Sequence, residues 1–273
     1  MPANKTYYLF SLFSIVSVTA FAQPAHNFAD TTHHRNLVWS DEFNYTGLPA
    51  NEKWNYETGY VRNKELQYYT QKREKNAYVS NGMLTITAIN DSLKIADKIF
   101  PITSASITTN GKKEWTYGRF EVRAKLPSSL GTWPAIWMLG NNISTAGWPK
   151  CGEIDILEHV GYMPDTVHFN VHTAKYNHVK RTGKGIKVWS PSSRTEFHVY
   201  AIEWFKDRID WYMDDKKVFT YANEGEGEES WPFDKPQYLI LNLAFGGAWG
   251  GTKGVQTTSL PQKFVIDYVR VYQ

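Results

Sequence analysis

A single cysteine, Cys151, leaves this chain without an internal disulfide framework. Charge excess is missing as well: 30 lysines and arginines face 27 aspartates and glutamates, spread along the chain. That balance gives no electrostatic footprint for nucleic acid. Long hydrophobic runs are scarce. The one candidate, residues 7–19, is too short to span a bilayer comfortably, follows Lys5, and leads into Ala20-Phe21-Ala22, a small-x-small cleavage pattern. We therefore expect residues 1–22 to be a signal peptide cleaved before Gln23. The product would be exported, periplasmic or secreted, with no membrane span and a flexible polar segment over residues 23–36. A lipoprotein would need a cysteine at the new terminus, where none stands. Long amphipathic helices, internal repeats and linkers are also absent, so residues 37–273 read as one domain. A monomer is expected.

Aromatic residues are plentiful, at 15% of the chain with eleven tryptophans. They can fill a β core, and they can offer flat faces on which sugar rings stack. Short alternating segments separated by turns run through the chain. Asn81-Gly82 lies between Tyr78-Val79 and the apolar-polar run 83–88, a hairpin signal. Phe120, Val122, Ala124 and Leu126 alternate with Arg119, Glu121, Arg123 and Lys125. Val167, Phe169 and Val171 likewise oppose His168, Asn170 and His172. Further strands are expected over 197–204, 208–213, 216–221, 238–245 and 264–272, with Asp214-Asp215 as a turn. Many short strands with Gly, Pro, Asn and Asp turns imply an all-β sandwich or barrel.

One stretch concentrates acidity: Cys151-Gly152-Glu153-Ile154-Asp155-Ile156-Leu157-Glu158-His159. Its aliphatic spacers predict a strand, which sets Glu153 and Asp155 on one face with Ile154 and Ile156 behind them. Strict alternation would bring Leu157, not Glu158, to the acidic face. A β-bulge near Ile156-Leu157 restores Glu158 to it. Three crowded carboxylates repel, so at least one pKa should rise. From spacing alone both a solvated acidic strand and an acid–base centre remain open.

The run Glu153-Ile154-Asp155-Ile156-Leu157-Glu158 resembles the bulged signature of glycoside hydrolase family 16, in its laminarinase-like form. Other blocks resemble the family in order: Trp39-Ser40-Asp41-Glu42-Phe43, Asn63-Lys64-Glu65-Leu66-Gln67-Tyr68-Tyr69-Thr70, and Tyr117-Gly118-Arg119-Phe120-Glu121-Val122-Arg123-Ala124-Lys125. Trp133-Pro134-Ala135-Ile136-Trp137, Leu241-Asn242-Leu243-Ala244-Phe245-Gly246-Gly247 and Asp267-Tyr268-Val269-Arg270-Val271-Tyr272 continue it. The resemblance implies a β-jelly-roll sandwich of two curved antiparallel sheets with an open concave substrate cleft. It implies an exported retaining endo-glycosidase acting on β-1,3-containing glucans, laminarin-like or mixed β-1,3/1,4.

In that reading Glu153 is the nucleophile, Glu158 the general acid/base, and Asp155 hydrogen-bonds the nucleophile between them. Trp133 and Trp137, four apart in a strand-like run, share a face, where core packing and sugar stacking are both open. The family favours stacking, places His172 in the cleft, and draws sugar-hydroxyl contacts from Asn63 and Glu65. Trp249, in the Gly-rich loop after Phe245, bounds the other side of the cleft or acts as a lid. The chemistry needs no cofactor. Calcium held by Glu42, the Gly82 carbonyl and Asp267 is expected as a structural ion on the convex side. The partner is a β-glucan polysaccharide or oligosaccharide. A galactanase of agarase or carrageenase type on the same fold is the competing enzyme. A non-catalytic glucan-binding module typically lacks the catalytic acids, all three of which stand here.

Overall fold

Strand-length alternation of apolar and polar residues builds two packed sheets in the computed structural model, which describes residues 36–273. The expected leader, its cleavage point and residues 23–35 lie outside the described residues. Asn36, placed at the end of the expected flexible segment, exchanges backbone hydrogen bonds with Gln273 at 2.9 and 3.0 Å. Contacts gather Arg35–Gln273 into one compact unit. Among the described residues no helix is long and apolar enough to cross a membrane; the two α segments, Ile143–Ala146 and Gly247–Gly250, are single turns.

The sheet that carries the acidic strand has seven strands. In spatial order they are Lys184–Trp189, Thr166–His172, Glu153–His159, Thr132–Gly140, Gln237–Phe245, Ser106–Thr108 and Asn55–Tyr56. The other sheet has ten, centred on Gly118–Lys125, Gln262–Tyr272 and Met83–Ile95. Between them lies the core: Ile136, Met138, Ile154, Val167, Phe169, Leu239 and Leu241 from the first sheet meet Phe120, Val122, Tyr200, Ile202, Trp204, Trp211 and Val269 from the second. The second face of the seven-stranded sheet points away from this core. A smaller apolar group lies there, with Ala135, Trp137, Leu139, Tyr238 and Ile240.

Local sequence accounts for most of these elements. Asn81 and Gly82, both at positive φ (54° and 72°), close the two-residue turn between Ala77–Ser80 and Met83–Ile95, as the twist of a hairpin requires. The second strand of that hairpin runs well past residue 88. It bulges between Asn90 and Leu93 and pairs onward with Lys98–Ser104. One pairing departs from the expected antiparallel sheets. Tyr68–Tyr69 joins Lys98–Ser104 in parallel, which is possible because the whole intervening hairpin supplies the long crossover a parallel pair needs.

Candidate active site

The acidic strand is Glu153–His159, and its register shifts against both neighbours between Asp155 and Glu158. At this bulge Ile156 and Leu157 both enter the core, each fully buried with Ile154. Burying such side chains stabilises by about 1.5–3 kcal/mol each, so a one-residue slip that exposed them is strongly disfavoured. The bulge therefore holds Glu153, Asp155 and Glu158 on the outer face. Its disrupted ladder finds a partner from the opposite sheet, where Trp211 Nε1 donates to the Asp155 carbonyl at 2.8 Å.

Each outer carboxylate is held by an indole. Trp148 Nε1 donates to Glu153 Oε2 at 2.8 Å, and Trp133 Nε1 to Glu158 Oε1 at 3.0 Å. Asn170 Nδ2 adds a donor to Glu158 Oε2 at 3.3 Å. On the neighbouring strand His172 Nε2 lies 3.7 Å from Glu153 Oε1 and 3.4 Å from Asp155 Oδ2. Burial is the largest influence on all three acids, followed by their mutual repulsion. Burial and the Asp155 charge push Glu153 up to about 8. Burial and then the Glu158 charge hold Asp155 well above the usual carboxylate range. Burial and the Glu153 charge raise Glu158 to about 7, against a smaller lowering from His172, Trp133 and Asn170. At neutral pH the group therefore retains protons, which is the state a general acid needs.

Aromatic side chains border the acids. Trp133, half-buried, meets the ring of Trp249 edge-on, with centroids 5.4 Å apart; Trp249 is 4.8 Å from the His168 ring. Trp137 lies on the same face as Trp133, as its spacing predicts, yet it is only 8% exposed. Its Nε1 donates to Asn242 Oδ1 at 2.8 Å and the Arg62 guanidinium covers its ring at 4.9 Å. Arg62 is itself paired with Glu57. Beyond Glu153, Trp148 is 38% exposed and packs near His172 and His178.

Asn63 and Glu65 stand behind the Trp249 turn. Glu65 is buried, its oxygens accepting from Gln67 Nε2 at 2.7 Å and Asn63 Nδ2 at 3.3 Å, and burial raises its pKa. The Asn63 carbonyl accepts from Ala248 N at 2.8 Å. Gly247 sits so close that a Cβ there would lie 3.0 Å from the Asn63 carbonyl oxygen and Glu65 Cγ. These two residues thus fix the loop that presents Trp249.

The expected calcium ligands do not fit an ion as they stand. Glu42 makes two hydrogen bonds to Arg270, at 2.9 and 2.8 Å, and Asp267 pairs with Arg123. Both charges are already neutralised by guanidinium groups, and Gly82 occupies its hairpin turn. Among the described residues, the group of three or more His, Cys, Asp or Glu side chains placed to share a metal is Glu153, Asp155 and His172.

Two contributors escape a reading of the sequence, and a third is legible only in part. Trp148 and Trp211 act through tertiary contacts that no period encodes. Asn170 was visible as a face-mate of His172, but its bond to Glu158 depends on strand pairing.

Comparison with known proteins agrees with this fold. The model of the family described as Glycosyl hydrolases family 16 matches residues 64–270. A protein named Beta-glucanase from Rhodothermus marinus is 50% identical over 254 residues, covering 90% of this chain and 87% of that protein. The X-ray structure of the laminarinase from Rhodothermus marinus superposes with a TM-score of 0.83 at 50% identity, over 88% of this chain and 98% of that one. A mutant of SCLam, described as a non-specific endo-β-1,3(4)-glucanase and co-crystallised with 1,3-β-D-cellotriosyl-glucose, aligns with a TM-score of 0.84 at 44% identity. It covers 88% of this chain and 95% of its own.

Proposed function

From the premise that the chain belongs to glycosyl hydrolase family 16 and is a glycoside hydrolase, we propose that it is an exported endo-β-1,3-glucanase working with retention. The observation that carries the reading is the pair Glu153 and Glu158 on one face of a bulged strand, each held by an indole N–H. Glu158, whose pKa burial and the Glu153 charge raise to about 7, gives its proton to the departing glycosidic oxygen. Glu153 attacks the anomeric carbon and forms a covalent glycosyl–enzyme. Glu158, now a carboxylate, takes a proton from water as that water attacks the same carbon, and Glu153 is released. For Glu153 to be the ionised member, the proton must sit on its neighbours. Asp155, almost wholly buried and held well above the usual carboxylate range by burial and the Glu158 charge, is suited to hold it.

Substrate class follows from the walls. Trp133 and Trp249 offer aromatic surface beside the acids. An acidic site disfavours anionic polymers unless cations compensate, and Arg62, the cation over the adjacent Trp137, is already paired with Glu57. The names of the relatives, beta-glucanase, laminarinase and endo-β-1,3(4)-glucanase, point the same way. A neutral β-1,3-containing glucan, with mixed-linkage glucan as a second substrate, is the expected partner of a monomeric single catalytic domain. Export rests on the residue 20–22 pattern, and N-terminal analysis should find Gln23 first.

The test compares initial rates on laminarin, mixed-linkage glucan, cellulose, agarose and carrageenan, for the wild type and for Glu158→Ala. Laminarin should be cleaved fastest. Glu158→Ala should lose laminarin turnover while still forming the glycosyl–enzyme from a substrate with an activated leaving group. Cleavage of agarose or carrageenan with both glucans intact would replace this reading by the galactanase one.

A further inference from the structure

The strand pairing that assembles the acids also creates a second kind of site. Glu153 and His172 oppose one another directly across the paired strands, and Asp155 follows on the same face. His172 Nε2 faces Glu153 Oε1 at 3.7 Å and Asp155 Oδ2 at 3.4 Å, and one donor atom from each residue lies within 4.8 Å of the other two. Trp148 already engages the second Glu153 oxygen, so Oε1 is the one left for a ligand. A separate observation points to a missing partner. Asp155 is 1% exposed, and its Oδ2, aimed at the imidazole, has no hydrogen-bond partner. Buried polar oxygens are normally satisfied.

We propose that Glu153 Oε1, Asp155 Oδ2 and His172 Nε2 form a binding site for a borderline divalent transition cation, Zn²⁺ foremost, whose occupancy switches the enzyme off. Tetrahedral zinc with bonds of about 2.0–2.2 Å sets its donors roughly 3.4 Å apart. The two separations at His172 come within a few tenths of an ångström of that spacing. One imidazole and two carboxylates leave a fourth position for water on the outer face, the arrangement of an open zinc site. Calcium asks for six to eight oxygens and magnesium for an octahedral oxygen shell, which two carboxylates and an imidazole do not supply. Glu158 is not needed as a ligand, being held by Trp133 and Asn170.

Inhibition follows from geometry. The cation displaces the protons that Glu153 and Asp155 retain. The Glu153 oxygen that would attack the anomeric carbon then donates a lone pair to the metal, and the metal with its water fills the place of the reacting sugar. This consequence rests on the proposed role of Glu153; the binding itself does not. Binding is therefore measured apart from turnover.

Isothermal titration of ZnCl₂ into the full exported chain, wild type against His172→Ala and Asp155→Asn, reads the site directly. His26, His33 and His34 offer adventitious sites near the N-terminus, so the difference between variants is the informative quantity. We expect one zinc per wild-type chain that each substitution weakens at least tenfold, competition between zinc and a laminari-oligosaccharide, and recovery of hydrolysis with EDTA. Equal magnesium should do nothing. Identical zinc binding by wild type and both variants would overturn the site, as would zinc binding unaffected by saturating oligosaccharide, a measurement that needs no variant to fold. Zinc bound at His172 with hydrolysis unimpaired would overturn the inhibitory half alone, since the nucleophile role of Glu153 is read separately from the anomer first released.

Discussion

Replacing Glu158 by glutamine removes a charge that the folded protein holds at a cost, so the variant should be more stable than the wild type, and only above acidic pH. The side chain keeps its size and can still accept from Trp133 Nε1. The magnitude comes from the environment of the carboxyl. Burial and the Glu153 charge move it from an ordinary 4.5 to about 7, a difference corresponding to about 3 kcal/mol. Below pH 4.5 the group is protonated in both the folded and the unfolded chain, and the substitution should be neutral. As pH rises, the unfolded chain ionises first and the folded state loses relative stability. That loss is complete once pH passes the folded value near 7. Glutamine undergoes no such change. For a unit spanning Arg35–Gln273, each kcal/mol moves the midpoint by about 2–4 °C, so Glu158→Gln should melt about 6–12 °C higher than wild type at pH 8. Thermal melts of both proteins at pH 4 and pH 8 supply the comparison. An equal difference at the two pH values, or a less stable variant at pH 8, would refute the account of Glu158 as a destabilised half-buried acid.

Three further outcomes follow from particular contacts. Asn170 Nδ2 donates to Glu158 Oε2 and lowers its pKa, so Asn170→Ala should move the alkaline limb of kcat/KM upward, and an unmoved limb with reduced rate would contradict this. Trp211→Phe strands the Asp155 carbonyl at the bulge, and should cost about 1–3 kcal/mol in urea unfolding, with kcat falling more than KM rises; wild-type stability would show that the bond holds nothing. Since Glu42 and Asp267 are each neutralised by an arginine, calcium added after chelation should leave the melting midpoint unchanged, and a calcium-dependent rise of several degrees would show that those arginines yield to an ion.

The sequence announces what depends on local period. Alternation around Phe120 and Phe169 places strands and faces correctly, and the acidic run predicts its own bulge because only an inserted residue brings Glu158 beside Glu153 while Ile156 and Leu157 both stay buried. The edge strand Lys184–Trp189 is different. It is exposed over nearly its whole length, so no buried face imprints an alternation, and it reads as loop. Asp91 and Ser92 look like turn residues after the strand ending near 88, whereas in the structure they form a bulge that lets it continue. Site partners are harder still. The donors to the carboxylates come from a turn (Trp148), two neighbouring strands (Trp133, Asn170) and, for the Asp155 backbone, the opposite sheet (Trp211). Trp137 illustrates the limit well: its spacing gives the correct face, but the Arg62 that covers it arrives from a loop 75 residues earlier.

The central claim is that Glu153 and Glu158 cleave a β-glucan by two successive displacements at one carbon. Proton NMR of the first reducing ends released from laminarin, recorded before mutarotation, tests it most directly. The account predicts that the β-anomer appears first and the α-anomer only as equilibrium is approached. Initial release of the α-anomer would mean single displacement, and would contradict a covalent intermediate on Glu153.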